Sequence, residues 1–282
     1  SKTFTGVPIM AANMDGVGTF AMAKVLQEFN CLTVIKKHYT LDDWKEAIGN
    51  GVKLSHLAVC TGANMIHDPK AEDYHNMKKI LEQWPDINYI CIDVANGYQE
   101  AFSSFVAKVR KEYPNKIIIA GNVITPEMTE QLIIRGADIV KCGIGPGSVC
   151  TTRTMTGVGY PQISGIMECA DAAHGLKGTV VADGGCRTPG DVSKAFAAGA
   201  DFVMLGGMLA GHQECELPLT NGSYEFYGMS SDRAMEEHGV RKSGYKGAEG
   251  KVVYLPDRGP VKHTMEEILG GVRSTCTYIG AD

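Results

Sequence analysis

The sequence lacks an excess of basic residues and lacks any long apolar run. Its 282 residues include 27 Lys and Arg against 32 Asp and Glu, and the resulting net charge of -5 provides no basic footprint for nucleic acid. No stretch approaches the roughly 20 apolar residues that a membrane-spanning helix requires. We therefore expect neither a nucleic-acid partner nor a membrane partner.

Short metal and redox motifs are also missing. Nine cysteines and eight histidines are scattered without CxxC, HExxH or comparable spacing. An odd number of cysteines in a chain of this length favours reduced intracellular thiols over a disulfide framework, so we expect a cytoplasmic protein. No secretory signal is visible, and the chain begins at Ser1 without a Met, which suggests that a natural N-terminus is missing.

One loop, residues 141–153, combines glycines, a hydroxyl, a thiol and an arginine directly after a short apolar run. The glycines let the backbone approach a ligand closely, and Ser148 with the neighbouring amides can hold an anion. Cys150 lies where a strand gives way to a loop, and Thr152 and Arg153 follow it, which favours an activated thiolate. The alternative is a glycine-rich turn that carries a buried, inert thiol.

Eight short apolar runs alternate with stretches of helical periodicity. The predicted strands are residues 7–12, 32–35, 57–60, 89–92, 116–120, 137–141, 179–182 and 199–204. This alternation predicts a (β/α)8 TIM barrel, formed by residues 1–282 as a single domain. The alternative is an open doubly wound sheet, but no GxGxxG follows the first strand with an acid about 20 residues later.

In a barrel, the carboxyl ends of all eight strands face the same mouth. Polar or glycine-rich positions follow most of the predicted strands, and they are Asn13, Asp15, Lys37, Asp93, Asn122, Cys150, Asp183 and the pair Gly206-Gly207. Each position alone is a weak signal, since any of them fits an ordinary turn. Their common position at strand ends predicts an active site at this mouth.

The regular alternation ends after the eighth strand. Residues from about 212 to 256 form a polar excursion with a tight turn at Asn221-Gly222 and a glycine-rich stretch, residues 236–251. We expect this excursion to act as a mobile lid that carries Glu249 over the barrel mouth. The alternative is a disordered surface loop. A closing helix is predicted over residues 266–276.

The loop of residues 143–153 resembles the signature of the IMP dehydrogenase/GMP reductase family. Further motifs resemble the reductase branch of that family, and they occupy residues 11–15, 37–39, 93–98, 156–162, 168–171, 183–186, 202–208, 226–231 and 269–271. The resemblance covers nearly the whole chain. It also implies that parts of both family termini are missing from this sequence.

The resemblance implies NADPH-dependent reductive deamination of GMP to IMP and ammonia. Cys150 would add to C2 of the purine and form a covalent intermediate, which then accepts hydride from the nicotinamide. Thr152 and Glu249 would carry the proton that the departing amine needs. The family alternative is an IMP dehydrogenase that oxidises IMP to XMP with NAD, and a more remote one is a non-catalytic nucleotide-binding barrel.

The family match also implies which residues bind each ligand. The expected nucleotide-binding residues are Ser148, Asp183, Gly184, Gly185, Gly206, Gly207, Gly228, Met229, Ser230, Lys246, Gly247, Ala248 and Gly250. The expected cofactor-binding residues are Lys37, Asp93, Val94, Ala95, Ile144 and Gly145. Backbone carbonyls of Gly145, Gly147 and Cys150 would hold a monovalent cation, K+, and the family implies a homotetramer.

Besides the motifs at residues 11–15 and 226–231, two features favour the reductase branch over the dehydrogenase branch. Only about 20 residues join Lys37 to Leu57, which is too short for the regulatory domain pair that dehydrogenases insert there. The excursion also carries Tyr245-Lys246 where a dehydrogenase flap needs an Arg-Tyr pair.

Three positions depart from the family pattern. Gly16 stands where the family usually has Thr, Lys36 replaces a His, and Lys246 replaces an Arg. The last change exchanges a planar fork of donors for a point charge.

Overall fold

The fold is a closed barrel of eight parallel strands. The computed structural model describes residues 4–63, 72–239 and 247–281. The barrel strands are β1 Ile9–Ala11, β2 Leu32–Ile35, β3 Leu57–Thr61, β4 Tyr89–Asp93, β5 Ile117–Val123, β6 Ile139–Cys142, β7 Thr179–Asp183 and β8 Phe202–Leu205. They pair in chain order, and β8 closes the barrel by pairing in parallel with β1. The predicted (β/α)8 barrel is confirmed, and the open doubly wound sheet is excluded.

Helices cover the barrel and follow most of its strands. They are α1 Phe20–Leu26, α2 Leu41–Gly49, α3 Glu72–Gln83, α4 Glu100–Glu112, α5 Pro126–Ile134, α6 Thr152–Thr156, α7 Gln162–Gly175, α8 Pro189–Ala197, α9 Asp232–Glu237 and α10 Val261–Ile279. The connection from β2 to β3 contains α2 and no inserted domain, as the short sequence spacing predicted. None of the helices in the described ranges has the length and apolar character needed to cross a bilayer.

Alternate residues of the barrel strands contribute to two apolar clusters. Val59 and Ile90 pack in a cluster with Trp44 of α2, between the strands and the helices. Cys60 and Cys91 belong to a second cluster, which includes residues of β1 and β8 and lies on the opposite face of these strands. Because side chains alternate along a strand, the residues that flank Cys60 and Cys91 face the helices. Buried on both faces, the strands appear in the sequence as short continuous apolar runs.

The same three residues, Gly-Ala-Asp, precede β6 at positions 136–138 and β8 at positions 199–201, and they form a repeat with the same structural role. The Asp138 carboxylate accepts the Ile118 N–H at 2.8 Å, and the Asp201 carboxylate accepts the Val180 N–H at 2.9 Å. Each carboxylate thus binds an amide near the start of the preceding barrel strand. The repeat therefore stabilises the amino-terminal end of the barrel, opposite the mouth.

The excursion after β8 contains a second sheet that was not predicted from the sequence. It is antiparallel, with β10 Ser223–Tyr227 between β9 Leu219–Thr220 and β11 Val252–Pro256. The predicted tight turn joins β9 to β10, and both Asn221 and Gly222 have positive φ, at 52° and 73°.

Several other boundaries also differ from prediction. Helices α6 and α9 were not predicted, β5 continues three residues beyond its predicted end, and α10 begins at Val261 instead of residue 266. Gly271 allows α10 to pack closely on α8, because a Cβ there would lie 2.5 Å from Pro189 Cβ. All nine cysteines are free.

Candidate active site

A chain of hydrogen bonds connects the Cys150 thiol to a carboxylate. The half-buried Cys150 thiol donates to Thr152 Oγ1 at 3.3 Å, and the Thr152 hydroxyl donates to Glu249 Oε2 at 2.6 Å. Cys150 lies in the loop after β6, and Thr152 is the first residue of α6. Three groups able to exchange a proton therefore form a hydrogen-bonded series in space, with the nucleophilic sulfur at one end.

Backbone hydrogen bonds hold Glu249 next to the Cys150 loop. Thr151 N–H donates to the Glu249 carbonyl, and Lys251 N–H donates to the Val149 carbonyl, both at 2.9 Å. The Glu249 N–H donates to the Ser230 carbonyl at 3.1 Å. The alternative of a disordered surface loop is therefore wrong for residues 249–251, which pair with the Cys150 loop on one side.

Three glycines at the mouth allow chain segments to approach each other closely. A Cβ added to Gly207 would lie 2.7 Å from Ser148 Oγ, and one added to Gly228 would lie 2.9 Å from the Val149 carbonyl oxygen. A Cβ added to Gly250 would lie 2.9 Å from the Ser231 amide nitrogen. Each distance is too short for a real side chain, so the glycines set the dimensions of the site.

A buried lysine lies between two acids at the bottom of the mouth. Lys141 Nζ is 2.6 Å from Asp93 Oδ1 and 3.3 Å from Asp183 Oδ2. Asn13 donates to Asp93 at 3.0 Å, and Asn122 donates to Asp183 at 2.9 Å. The ends of β1, β4, β5, β6 and β7 are thereby joined in one polar network.

In this network the ion pairs shift the pKa values of Lys141 and Asp93 more than burial does. Burial alone would lower the pKa of Lys141, but Asp93 and Asp183 raise that pKa well above its ordinary value. Burial alone would raise the pKa of Asp93, but the charge and hydrogen bond of Lys141 hold that pKa below its ordinary value. The network therefore holds a charged Lys141 against the Asp93 carboxylate.

The sequence as a whole matches one family of enzymes. Residues 2–282 match the family model described as IMP dehydrogenase / GMP reductase domain. The chain belongs to the IMP dehydrogenase/GMP reductase family. It is 58% identical to "GMP reductase 2" of Homo sapiens and 57% identical to "GMP reductase 2" of Bos taurus, each over 99% of this chain and 80% of the relative. It is 56% identical to "GMP reductase" of Escherichia coli (strain K12 / DH10B), over 99% of this chain and 81% of the relative.

Most of the residues expected from the family resemblance line one cavity at the barrel mouth. They are Asp93, Val94, Ala95, Ile144, Gly145, Gly147, Ser148, Cys150, Thr152, Asp183, Gly184, Gly185, Gly206, Gly207, Gly228, Met229, Ser230 and Glu249. Four others are absent from the cavity wall: Lys37, Gly247, Ala248 and Gly250. Lys37 instead lies 3.5 Å from Asp73, and Lys246 lies outside the described residues.

Several residues that line this cavity were not predicted from the sequence to be catalytic or to bind a ligand. Asn13, Asn122 and Lys141 are the polar ones among them. The two asparagines had been noted as strand-end residues, and Lys141 carries the clearest signal. Lys141 follows Ile139 and Val140 within an apolar strand, where a lysine is expensive to bury and therefore needs acidic partners inside the fold.

Two of the three departures from the family pattern have a structural setting here. Gly16 has a φ of 78°, and a Cβ there would lie 2.5 Å from Leu217 Cδ1. A threonine at this position would therefore be strained and would collide with Leu217. The Lys36 ammonium lies 4.6 Å from the centroid of the Tyr39 ring, where it makes a cation–π contact.

Replacing Lys141 with Met should destabilise the protein by about 3 kcal/mol, because it leaves two facing carboxylates without their cation. We expect this loss in chemical denaturation at neutral pH. Because the pKa of Asp93 is lowered from 3.8, its stabilising contribution is complete above that pH and declines as the pH falls below it. The difference in unfolding free energy between the wild-type protein and Lys141→Met should therefore become smaller at acidic pH.

A matched control is Lys45→Met, which breaks the exposed pair with Asp42 on α2. Pairs of this kind contribute less than about 1 kcal/mol. Equal losses in the two variants would contradict the structural importance of the buried network.

Proposed function

We propose that this protein catalyses the NADPH-dependent reductive deamination of GMP to IMP and ammonia. The observation that carries the proposal is the hydrogen-bonded series from Cys150 through Thr152 to Glu249, in a cavity at the barrel mouth. The family match and the relatives named GMP reductase support it further. This series provides a nucleophile, and it also provides a path for the proton that the departing amine of GMP needs.

Cys150 acts as a thiolate that adds to C2 of the guanine. The C2–N bond breaks, and the amine leaves as ammonia after it has taken one proton. Glu249 and Thr152 supply that proton, because the Thr152 hydroxyl can pass it from the Glu249 carboxyl towards the substrate. The products of this half-reaction are ammonia and a purine bound to Cys150 through sulfur.

NADPH, when bound, supplies a hydride to C2, and the carbon–sulfur bond breaks to release IMP and the thiolate. Its proposed contacts are Asp93, Val94, Ala95, Ile144 and Gly145, which line the same cavity as Cys150. Lys37 is a further candidate, partly exposed beside Asp73. The small side chains of Val94 and Ala95 leave an apolar surface that suits a nicotinamide ring.

Hydroxyls, amides and a carboxylate of the cavity suit the sugar and phosphate of the nucleotide. Asp183 can accept both ribose hydroxyls, since a carboxylate has two acceptor oxygens. Ser148, Ser230 and the backbone amides of Gly206-Gly207 provide donors for the phosphate. Gly184, Gly185, Gly228 and Met229 complete this proposed nucleotide site, together with Lys246, Gly247, Ala248 and Gly250 of the excursion.

K+ is the proposed cation of the Cys150 loop, held by the carbonyls of Gly145, Gly147 and Cys150. The Gly147 carbonyl accepts the Cys150 N–H at 3.1 Å and keeps its second lone pair for a ligand. Carbonyl oxygens are the groups that bind K+ in proteins, so the loop fits this ion. No cluster of three or more His, Cys, Asp and Glu suited to a metal occurs in the described part of the chain.

We further propose a single catalytic domain in which residues 212–256 form the lid, and a cytoplasmic homotetramer as the working form. The lid proposal is supported by the pairing of residues 249–251 with the Cys150 loop. Reversible breaking of those few hydrogen bonds would open the cavity.

The test is a comparison of the two reactions known in the family. With GMP and NADPH, we expect NADPH oxidation and equal amounts of IMP and ammonia. With IMP and NAD+, we expect no XMP. Steady XMP formation would instead indicate the dehydrogenase reaction, and the absence of both reactions would indicate a non-catalytic nucleotide-binding protein.

A further inference from the structure

A buried carboxylate, Asp15, lies behind the cavity wall and binds two side chains of the excursion. Asp15 Oδ2 accepts the Tyr227 hydroxyl at 2.9 Å and lies 2.6 Å from His238 Nε2. The residue is only 3% exposed, and it follows β1 in the loop that also carries Gly16. Asp15 thus connects the barrel to the end of β10 and to the residue after α9.

Asp15 also connects to residues that line the cavity. Its backbone N–H lies 3.3 Å from Met229 Sδ. Met229 and Ser230 both line the cavity, and the Ser230 carbonyl accepts the Glu249 N–H at 3.1 Å. The Asp15 carboxylate therefore binds both ends of the segment from Tyr227 to His238. This segment includes Ser230, whose carbonyl accepts the Glu249 N–H.

This arrangement lowers the stability of the fold, so stability does not explain why a carboxylate lies here. Asp15 Oδ1 is buried, and no protein group in the described chain donates a hydrogen bond to it. A buried carboxylate with a bare oxygen destabilises a fold, so an apolar residue would serve the packing better. Because Asp15 does not line the cavity, its effect on substrate must pass through the residues that it holds.

We propose that Asp15 is a positioning residue, which fixes the 227–238 segment through Tyr227 and His238 so that Met229, Ser230 and Glu249 stand correctly against the nucleotide. This role rests on the proposed function. It predicts a specific defect: the deamination step, which needs Glu249, is more sensitive to Asp15 than the hydride step is.

Charged and titratable groups surround the contact on every side. The His38 ring stacks on His238 with ring centroids 3.4 Å apart, and Lys36 and Lys37 precede His38. Arg233 lies over the Tyr227 ring, and it pairs with Glu225 and Glu237.

His38, which stacks on His238, has a pKa well below that of a free histidine. Burial, His238 and the neighbouring lysines lower the pKa of His38 to about 4, against the opposing effect of Asp15. The stacked His38 ring is therefore uncharged at neutral pH.

The test compares two steps in Asp15→Asn and Tyr227→Phe. The first step is the release of ammonia from GMP in a single turnover, and the second is the burst of NADPH formed from IMP and NADP+. We expect the ratio of the first rate to the second to fall about 10-fold or more in Asp15→Asn, since small misplacements of reacting groups are costly. We expect a smaller fall, of about threefold, in Tyr227→Phe, with a raised KM for GMP.

The matched control is Asp201→Asn. Asp201 also pairs with a histidine, His174, at 2.9 Å, but it precedes β8 at the opposite end of the barrel. This variant should lower the midpoint of thermal unfolding and leave the ratio of the two rates unchanged.

Equal losses in both steps of Asp15→Asn, or unchanged rates in both, would overturn the positioning role. If Asp15→Asn does not fold, Tyr227→Phe decides, because it removes one hydroxyl and keeps the ring. A wild-type protein that forms no IMP from GMP would refute the proposed function and this role with it. A wild-type protein that does so, with an unchanged ratio in the variants, would refute this role alone.

Discussion

Cys150→Ser is expected to lower the turnover of GMP by about 10³-fold or more, because removing a nucleophile costs orders of magnitude in rate. A hydroxyl is far less ionised than a thiol at neutral pH, and oxygen at this position lacks the reactivity of sulfur towards C2. The substitution keeps the size and hydrogen-bonding capacity of the side chain, so the bond to Thr152 can persist. GMP should therefore still bind, which calorimetry can measure.

The protein offers a matched control in Cys186, which lines the same cavity. Burial raises the pKa of Cys186 to about 11, with smaller contributions from Asp191 and Asp183, so this thiol stays protonated. Cys186→Ser should keep most of the activity. Mass spectrometry of the wild-type protein, quenched during turnover, should show a purine adduct on the peptide of Cys150. Near-normal turnover by Cys150→Ser would rule out covalent catalysis at this residue.

Glu249→Gln is expected to slow ammonia release by about 10²-fold to 10³-fold, in the range of general acid–base catalysis. Glutamine keeps the two backbone hydrogen bonds of this position, to Thr151 and Ser230, so the segment should stay in place. An amide cannot deliver a proton to the departing amine. The burst of NADPH from IMP and NADP+ does not need ammonia to leave, so it should fall much less.

The comparison needs a variant that removes a charge without affecting the proton path. Glu168→Gln is suitable, because Glu168 accepts the Tyr160 hydroxyl at 2.7 Å on the exposed side of α7. It should leave both steps unchanged. Thr152→Val should reproduce the defect of Glu249→Gln, since it interrupts the same path. Equal losses of both steps in Glu249→Gln would show that the carboxylate has no separate role in deamination.

The barrel could be predicted because its signals are local. Each strand is buried on both faces and appears as a short apolar run, and helical stretches separate these runs. Helix starts also have local signals: Thr188 accepts the Asp191 N–H at 3.3 Å in a capping box, with Pro189 in the first turn of α8. Thr125 occupies the same position before α5, but its hydroxyl makes no capping bond there.

The second sheet could not be predicted, because β9 is very short and the pairing of β10 with β11 joins segments that are distant in the sequence. β9 has two residues, and β11 alternates exposed with half-buried side chains without any fully buried residue. β11 does contain an apolar run, Val252-Val253-Tyr254-Leu255, but its pairing with β10 depends on contacts made by a distant segment. Helix α9, six residues long, is similarly too short for a periodic pattern.

The sequence by itself determined the barrel, the loop that carries Cys150 and the family, because strand burial, turn residues and motifs are properties of neighbouring positions. Only the tertiary structure decided which distant groups meet. Thr152 and Glu249 are 97 positions apart, and Asp15 and Tyr227 are 212 positions apart. Such contacts arise when barrel closure brings the ends of all eight strands to one mouth, and no local pattern encodes which residues that closure joins.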